Sequence, residues 1–246
     1  MTDEWNKFLA AVEKAKADLG CRDSGAWFRG QSSSKHRLYP SLLRPRAQIN
    51  ASREGSIFEE FTDFDAEAER GSTSWDRLVK LQHYGVPTRL LDWTEVFGVA
   101  LYFALNGRQK DRVPAPAIWI INPFRITMLG RGKPDKRLAC FHTELDKDYF
   151  LNFLNGKQCT WPFIYPMPYR PPKLTARIRA QKGFFTVHGT DPRPLDAIYR
   201  GHVRQVRIPI AALDDAKRFL DLSGIDSLSM YPDLDGFARR IRDRYQ

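Results

Sequence analysis

Two short segments place charged and polar side chains inside stretches of the sequence that are otherwise apolar and rich in turns. The first covers residues 27–31, Trp-Phe-Arg-Gly-Gln, and the second covers residues 81–94, which contain His83, Arg89 and Asp92. Burying such groups without a partner costs free energy, so each must either pair inside the protein or serve a ligand. These two segments therefore hold the candidates for a functional site.

Arg29 is the residue of the first segment that could bind an anion. An arginine at the end of a strand can present its planar fork of donors to a phosphate or a carboxylate. The next residue, Gly30, has no side chain, so a ligand could approach the backbone there. Phe28 and Gln31 flank this pair as candidate binding residues. The structural alternative is that Arg29 forms an ion pair within the protein.

The second segment combines a histidine, an arginine and a carboxylate, and each has a structural alternative as well. His83 and Asp92 could serve a nuclease, although a metal site would need more carboxylates nearby. Asp92 followed by Glu95 also matches a capping box for the next helix, and His83 could lie near a helix end. Arg89 is a candidate ligand-binding residue, or it could form an ion pair with Asp92.

The composition is that of an ordered protein with a full core, because 42% of the 246 residues are hydrophobic and 13% are aromatic. No signal peptide pattern opens the sequence, and no run approaches the roughly 18 apolar residues of a membrane span. We therefore expect a cytoplasmic protein with no membrane partner. The three cysteines are widely spaced, which argues against a disulfide framework or a zinc ribbon, and no metal cofactor is expected.

Several enzyme classes are excluded by their missing motifs. The sequence has no Gly-x-Ser-x-Gly elbow, no Gly-x-x-x-x-Gly-Lys phosphate loop and no His-Glu-x-x-His pair. The elbow hydrolases, the P-loop proteins and the zinc proteases are therefore set aside.

The formal net charge of +10 predicts an anionic partner, such as a nucleotide, another anionic ligand or nucleic acid. Residues 169–207 hold nine basic residues against the two acids Asp191 and Asp196. Within this basic run, the candidates for nucleic-acid contact are Arg200, Arg204 and Arg207. The alternative is an ordinary solvated face, since no Arg-Gly repeat accompanies the run.

Hydrophobic periodicity predicts an α+β fold, a short-stranded sheet with helices interleaved irregularly along the chain. Helices are predicted at 1–20, with Thr2 as N-cap and Gly20 as stop, and at 57–68, 75–85, 96–105, 145–154, 212–222 and 234–245. Strands are predicted at 26–30, 88–93, 117–122, 183–188 and 203–208. The proline-rich stretch 161–172 is predicted to form a rigid loop.

The polar segments belong to a longer set of motifs. These are Phe-Arg-Gly-Gln at 28–31, Pro-Ser-Leu-Leu-Arg at 40–44, the stretch 81–94 continuing into Ala-Leu-Tyr-Phe-Ala at 100–104, Ala-Gln-Lys-Gly-Phe-Phe at 180–185, and Tyr-Pro-Asp-Leu-Asp-Gly at 231–236. Together they resemble the FRG domain, a family named for its Phe-Arg-Gly motif. The resemblance runs from about residue 27 to 238 and implies that residues 1–246 form a single domain of this type.

The order of three of these motifs is also similar to that in ADP-ribosyltransferase-like folds, which this protein is expected to share on that analogy. The analogy implies that Arg29 holds a phosphate or ribose of NAD, the substrate, and that Thr94 orients it. Trp93 or Tyr84 would stack on nicotinamide, and Gln181 would stand where the catalytic acid belongs.

The neutral amide of Gln181 departs from that pattern. Cleaving the bond between nicotinamide and ribose develops positive charge on the sugar, which a carboxylate stabilises far better than an amide does. Either another acid, such as Asp92 or Glu95, supplies the negative charge, or the pocket binds its ligand without this chemistry.

Two functional hypotheses follow from these residues. The leading one is an NAD-directed enzyme, either ADP-ribosyltransferase-like or NAD-hydrolysing, acting as a toxin or defence effector. Its catalytic residues would be drawn from Arg29, His83, Asp92 and Gln181. The alternative is a non-enzymatic module that binds nucleic acid or another anionic ligand.

Overall fold

The computed structural model describes residues 1–21, 25–45, 53–64, 73–106, 114–132, 164–171 and 175–245. Its helices are α1 (Asp3–Asp18), α2 (Glu54–Phe64), α3 (Ser74–His83), α4 (Phe97–Asn106), α5 (Pro123–Arg131), α6 (Ala176–Ala180), α7 (Leu195–Ile198), α8 (Leu213–Leu222), α9 (Ser227–Met230) and α10 (Leu234–Tyr245). Its strands are β1 (Trp27–Gln31), β2 (Leu90–Thr94), β3 (Ala117–Ile121), β4 (Met167–Tyr169), β5 (Gly183–Val187) and β6 (Val203–Arg207).

The six strands form one antiparallel sheet in the order β4-β5-β2-β1-β3-β6. The predicted α+β class is therefore confirmed. Strand β3 is buried along its whole length, as the uninterrupted apolar run at 117–121 predicts. The relation to ADP-ribosyltransferase-like folds stays a prediction.

Alternation along the strands sends side chains to both faces of the sheet, where helices cover them. On one face, α1, α4 and α8 pack over β1 and β3 in a cluster that includes Phe28. On the other face, α5 and α7 cover a cluster that includes Trp27 and Trp93. A third cluster joins α2 and α3 to β4 and β5.

Local signals account for the helix ends that flank the candidate site. Helix α1 begins as predicted, with the Thr2 hydroxyl accepting from Trp5 N. Helix α3 opens with a capping box between Thr73 and Asp76, and the chain leaves it through Gly85 at φ +77°. This sharp exit brings the chain into β2.

The capping box predicted from Asp92 and Glu95 is wrong. Asp92 lies in the middle of β2, two residues before the strand ends. The turn into α4 is held instead by Thr94, whose hydroxyl accepts a hydrogen bond from Val96 N at 3.0 Å. Asp92 is paired in register with Phe185 of β5 inside the five-residue strand, so its side chain has no helix end to cap.

Other differences lie between Pro123 and Lys173. Helix α5 was missed, although its Asn122 N-cap and Pro123 at the first position are typical start signals. Strand β4 interrupts the loop predicted at 161–172, and the helix predicted at 145–154 lies outside the described residues.

Candidate functional site

The site begins where β1 and β2 separate. Strand β1 pairs with β3 over five residues, but it pairs with β2 at one position, where Phe28 lies opposite Thr94. Beyond that pair, the Arg29 guanidinium occupies the gap, since its Nη1 donates to the Asp92 backbone carbonyl at 2.8 Å. A side chain therefore replaces the backbone ladder, and the cleft opens at this point.

Arg29 is held by Asp92, but not every hydrogen-bond donor of its guanidinium has a partner. Its side chain is 16% exposed, and Nη1 also lies 3.4 Å from Asp92 Oδ2. Burial and the like charge of Arg44 keep the pKa of Arg29 below its usual range, while Asp92 acts in the opposite direction. Its buried Nε has no hydrogen-bond partner among the described atoms. One donor of the guanidinium is therefore left unsatisfied by the described atoms.

The cleft has a volume of about 750 Å³, which suits a ligand of nucleotide size. Its wall gathers residues that are up to 153 positions apart in sequence, from Phe28 to Gln181. The predicted site residues among the lining are Phe28, Arg29, Gly30, Gln31, Asp92, Trp93, Thr94 and Gln181. The structure thus brings most of both polar segments together.

The wall of this cleft is cationic. Its lining includes five Lys or Arg side chains but one carboxylate, that of Asp92, among the described residues. The five are Arg29, Lys35, Arg37, Arg44 and Arg177. Such an imbalance attracts an anion and would be costly to leave uncompensated away from water.

One family model matches the part of the chain that contains both polar segments. Residues 24–112 match the model of the FRG domain, and they contain β1, β2 and helices α2 to α4. An FRG domain is thus present at residues 24–112. No curated protein and no solved structure gives a significant match. The motifs at 180–185 and 231–236 lie beyond the matched residues, so the FRG match covers one wall of the cleft and not the Arg177–Gln181 side.

The name-giving motif of the FRG domain serves packing as well as the cleft. A side chain on Gly30 would place Cβ 1.8 Å from the Ala100 carbonyl oxygen, because the backbone of α4 lies directly on β1 there. The ring of Phe28 is buried against α4 and α1. The expectation that Gly30 leaves room for a ligand is therefore wrong: α4 fills that space.

Asp92 stands at the mouth of the cleft with a half-exposed side chain. Its Oδ2 accepts a hydrogen bond from Gln82 Nε2 at 3.0 Å, and the side-chain oxygen Oε1 of Gln82 accepts in turn from Thr88 Oγ1. Glu95 is directed elsewhere, 3.9 Å from Lys182. Of the two acids proposed to replace Gln181, Asp92 is the one that lines the cleft.

Thr94 and Gln181 are joined to each other. The Thr94 hydroxyl donates to the Gln181 backbone oxygen at 2.7 Å, and Gln181 Nε2 donates to Met230 O at 3.1 Å. Since Thr94 is buried and also accepts from Val96 N, its hydroxyl is engaged by the backbone rather than directed to a ligand. Its role is to fix the position of the turn that carries Gln181.

That turn is unusual in its backbone. Lys182, next to Gln181, has φ +42°, the one positive value for a residue other than glycine among the described residues. A left-handed residue with a full side chain costs about 1 kcal/mol and is typically retained where the surroundings hold it. The contacts of Gln181 with β2 and with α9 supply such a constraint.

His83 lies behind the cleft rather than in it. It borders a chamber of about 40 Å³ together with Asp92, Arg177 and Gln181, which also line the cleft. Burial and the Arg177 charge lower its pKa below 6.5, so the imidazole is neutral at pH 7. Its buried Nδ1 has no partner among the described atoms.

Arg89 is a structural residue, contrary to the expectation that it binds ligand or pairs with Asp92. Its guanidinium forms a two-pronged ion pair with Glu54 of α2, with Nε 2.7 Å from Oε1. Nη1 donates to the backbone carbonyl oxygens of His188 and Gly189. Strand β2 begins one residue later, and Arg89 at that point joins α2 to the end of β5.

The two rings expected to stack on nicotinamide are placed differently. Trp93 borders the cleft, but its indole is 3% exposed and its Nε1 donates to Thr186 Oγ1 at 3.1 Å on the opposite face of the sheet. Tyr84 caps α3 and is 66% exposed, outside the described lining of the cleft. Gln31 accepts from Trp119 Nε1 and so is largely structural. The alternation of side chains along β1 and β2 decides where Gln31 and Trp93 point, and sequence spacing alone did not show which face of the sheet each would take.

The candidate nucleic-acid residues do not form one surface. Arg204 and Arg207 are three residues apart on β6, so they project from opposite faces of the sheet. Val206, on the same face as Arg204, packs into the cluster that includes Phe28. Val203, on the same face as Arg207, packs into the cluster that includes Trp27. Arg200 lies in the turn before the strand. Arg204 and Arg207 therefore do not share one face of the sheet.

Within the described ranges, no group of three or more His, Cys, Asp or Glu side chains is arranged to hold a metal ion. Nor does any helix in these ranges have the length and apolar character needed to cross a membrane.

Sequence reasoning missed several residues of the cleft wall. The cations are Lys35, Arg37, Arg44 and Arg177, and the rings are Tyr39 and Phe103. Two of them stand in motifs that were recognised, Arg44 in 40–44 and Phe103 in 100–104. Their assignment to the site needed the fold, because the loop after β1 and helix α6 meet only in the tertiary structure.

Proposed function

We propose that the cleft of this FRG domain binds a phosphate-bearing nucleotide and that NAD is its substrate. The observation that carries the proposal is the excess of cationic side chains over the single carboxylate of Asp92 in the described wall. A phosphate-bearing ligand supplies the missing negative charge, and arginine forks match its geometry.

Some of these cations are already engaged, and others are open to a ligand. Arg37 is paired with Asp196, and Arg177 donates to the His83 carbonyl oxygen. Lys35 and Arg44 form no ion pair with any residue in the described parts of the chain. Together with Arg29, they are the groups that we assign to the phosphates.

The rest of the wall suits the other parts of a nucleotide. Tyr39 and Phe103 line the cleft and are only partly buried, so their rings offer faces on which a base could stack. Arg29 lies deepest, between the two strands, while Lys35 and Arg44 belong to the loop that follows β1. A ligand with an aromatic base and phosphates fits this division of the surface.

Cleavage of NAD would use Asp92. When the bond between the nicotinamide nitrogen and the ribose breaks, its electron pair stays with nicotinamide and positive charge develops on the sugar. A carboxylate beside the sugar lowers the energy of that state. Asp92 is kept in place by Gln82 and Arg29, and it is open to the cleft. Water or an acceptor group then attacks the sugar carbon.

The test is to incubate the protein with NAD and measure nicotinamide release for matched variants. Asp92→Asn should reduce release about a hundredfold, as expected for the loss of a charge-stabilising group. Glu95→Gln should release nicotinamide at the original rate, since Glu95 points towards Lys182 and away from the cleft. NAD affinity, measured by calorimetry, should change little in either variant.

The outcomes separate the two functional classes. Binding of NAD or ADP-ribose without nicotinamide release, with and without added acceptors, rejects the enzyme and leaves a module for anionic ligands. The pairing of Asp92 with Arg29 and the neutral Gln181 are the observations that favour this second function. Absence of binding to any phosphate-bearing nucleotide overturns the assignment of the cleft.

A further inference from the structure

The C-terminal helix α10 carries an apolar stripe that no described residue covers. Its large apolar side chains are all exposed: Leu234 is 85%, Phe237 49%, Ile241 43% and Tyr245 80% accessible. At about 3.6 residues per turn, positions 234, 237, 241 and 245 fall on one side of the helix. The spacing is that of a core-facing helix, but these side chains face solvent.

The opposite side of α10 is fixed to the domain. Gly236 is buried, and a Cβ there would lie 1.8 Å from the Tyr231 carbonyl oxygen. Arg239 stacks on the Tyr231 ring at 4.7 Å, and Arg240 lies 3.1 Å from Asp226. Because position 236 is nearly opposite the stripe on the helix, close packing at Gly236 holds the stripe outward.

Arginines border this outward stripe. By helical spacing, Arg242 lies along one edge and Arg244 along the other. Neither side chain is paired with an acid among the described residues. The C-terminal half of the exposed surface of α10 therefore combines the large apolar side chains of Ile241 and Tyr245 with an arginine on either side.

We propose that α10 is a membrane-surface helix that lies flat on anionic lipid, with Phe237 and Ile241 entering the acyl boundary. Arg242 and Arg244 would meet the headgroup phosphates on either side. An apolar stripe flanked by basic residues is the pattern that binds such a surface in its plane. The expectation of no membrane partner rested on the lack of a long apolar run, which an in-plane helix does not need.

The charge of the protein and of the stripe favours anionic lipid over a second copy of the chain or a nucleic acid. A second copy of the chain would bring two proteins of formal charge +10 together, which electrostatics opposes. A nucleic acid would match the arginines but would leave the rings and aliphatic side chains of the stripe in water. Anionic lipid satisfies both parts of the surface.

The test uses the full chain and flotation with vesicles of phosphatidylcholine alone or with phosphatidylserine added. Binding is expected for the vesicles with phosphatidylserine, and it should weaken as salt is raised. Ile241→Asp and Phe237→Asp should each weaken it more than tenfold, because a carboxylate would enter the stripe. Arg242→Gln combined with Arg244→Gln should weaken it about 25-fold, at roughly fivefold for each arginine.

The matched control is Leu222→Asp, which places the same charge at a 74% exposed leucine on α8, away from the stripe. It should leave vesicle binding unchanged. All variants should have the melting temperature of the original protein, because the altered side chains are exposed. The proposal is overturned if the protein does not float with anionic vesicles, or if Ile241→Asp and Leu222→Asp have equal effects. A dimer in sedimentation that Ile241→Asp dissociates would assign the stripe to a second copy instead.

Discussion

Arg29 Nη1 donates to the backbone carbonyl oxygen of Asp92 at 2.8 Å and lies 3.4 Å from the carboxylate of the same residue. A single guanidinium thus joins the two strands at the point where their ladder stops. The residue that gives the FRG motif its arginine is both part of the sheet and part of the cleft wall. Loss of its fork should therefore affect stability and ligand binding by different amounts.

Arg29→Lys is expected to weaken the binding of NAD or ADP-ribose about tenfold to a hundredfold. Lysine keeps the charge but cannot hold Asp92 and a phosphate at the same time. The free energy of unfolding should fall by about 1–2 kcal/mol through the lost hydrogen bonds. Calorimetric titration and denaturant unfolding measure the two effects. The matched control, Arg193→Lys, alters an exposed arginine paired with Asp191 and should change neither affinity nor stability appreciably. Unchanged affinity with a large loss of stability would make Arg29 purely structural.

Gly30→Ala should destabilise the protein by on the order of 3 kcal/mol. The new Cβ would meet backbone atoms of α4, Ala100 O at 1.8 Å and Ala104 N at 2.6 Å, which cannot move aside as a side chain could. Gly183→Ala on β5 is the control, since its Cβ would lie 3.5 Å or more from its neighbours. Equal unfolding midpoints for the two variants would contradict the close contact of α4 with β1.

Glu54→Gln should lower the free energy of unfolding by about 1–3 kcal/mol, because it removes the carboxylate of the largely buried ion pair with Arg89. Ligand affinity measured well below the melting temperature should be unaffected. Lys217→Ala, which removes the exposed pair with Asp214, should change stability by no more than about 0.5 kcal/mol. If Glu54→Gln weakened ligand binding in the folded protein, Arg89 would have to be counted among the ligand-binding residues.

His188 should make the protein sensitive to mild acid. Its ring is fully buried, neither nitrogen has a partner among the described atoms, and burial with the nearby Arg89 charge lowers its pKa from 6.5 to about 3. Between these values the unfolded chain binds more protons than the folded one, so the free energy of unfolding falls as the pH falls below 6.5. The slope should approach about 1.4 kcal/mol per pH unit.

Urea unfolding between about pH 5 and 6.5 measures this slope, in a range that avoids most carboxylate titration. His188→Gln and His188→Leu should each remove most of it, whatever their absolute stability. His36→Gln, at an exposed position, should retain it. A wild-type slope that survives in both His188 variants would show that another group is responsible.

Sequence patterns alone determined the elements whose signals are local. The apolar run of β3, the Thr2 cap of α1 and the 3.6-residue spacing of α10 each reflect side chains and backbone within a few positions of one another. The motif Phe28-Arg29-Gly30 also pointed to the correct end of β1. These features need no knowledge of what the chain packs against.

The tertiary structure decided which groups meet. Arg89 pairs with Glu54 rather than with Asp92, three residues away, because β2 alternation sends their side chains in different directions and α2 supplies a carboxylate. Arg44 and Arg177 join Arg29 around one cleft although 133 positions separate the first two. Sequence spacing fixes only neighbours on one element, whereas the partners of a buried charge are set by the strand order of the sheet and by the helices laid over it.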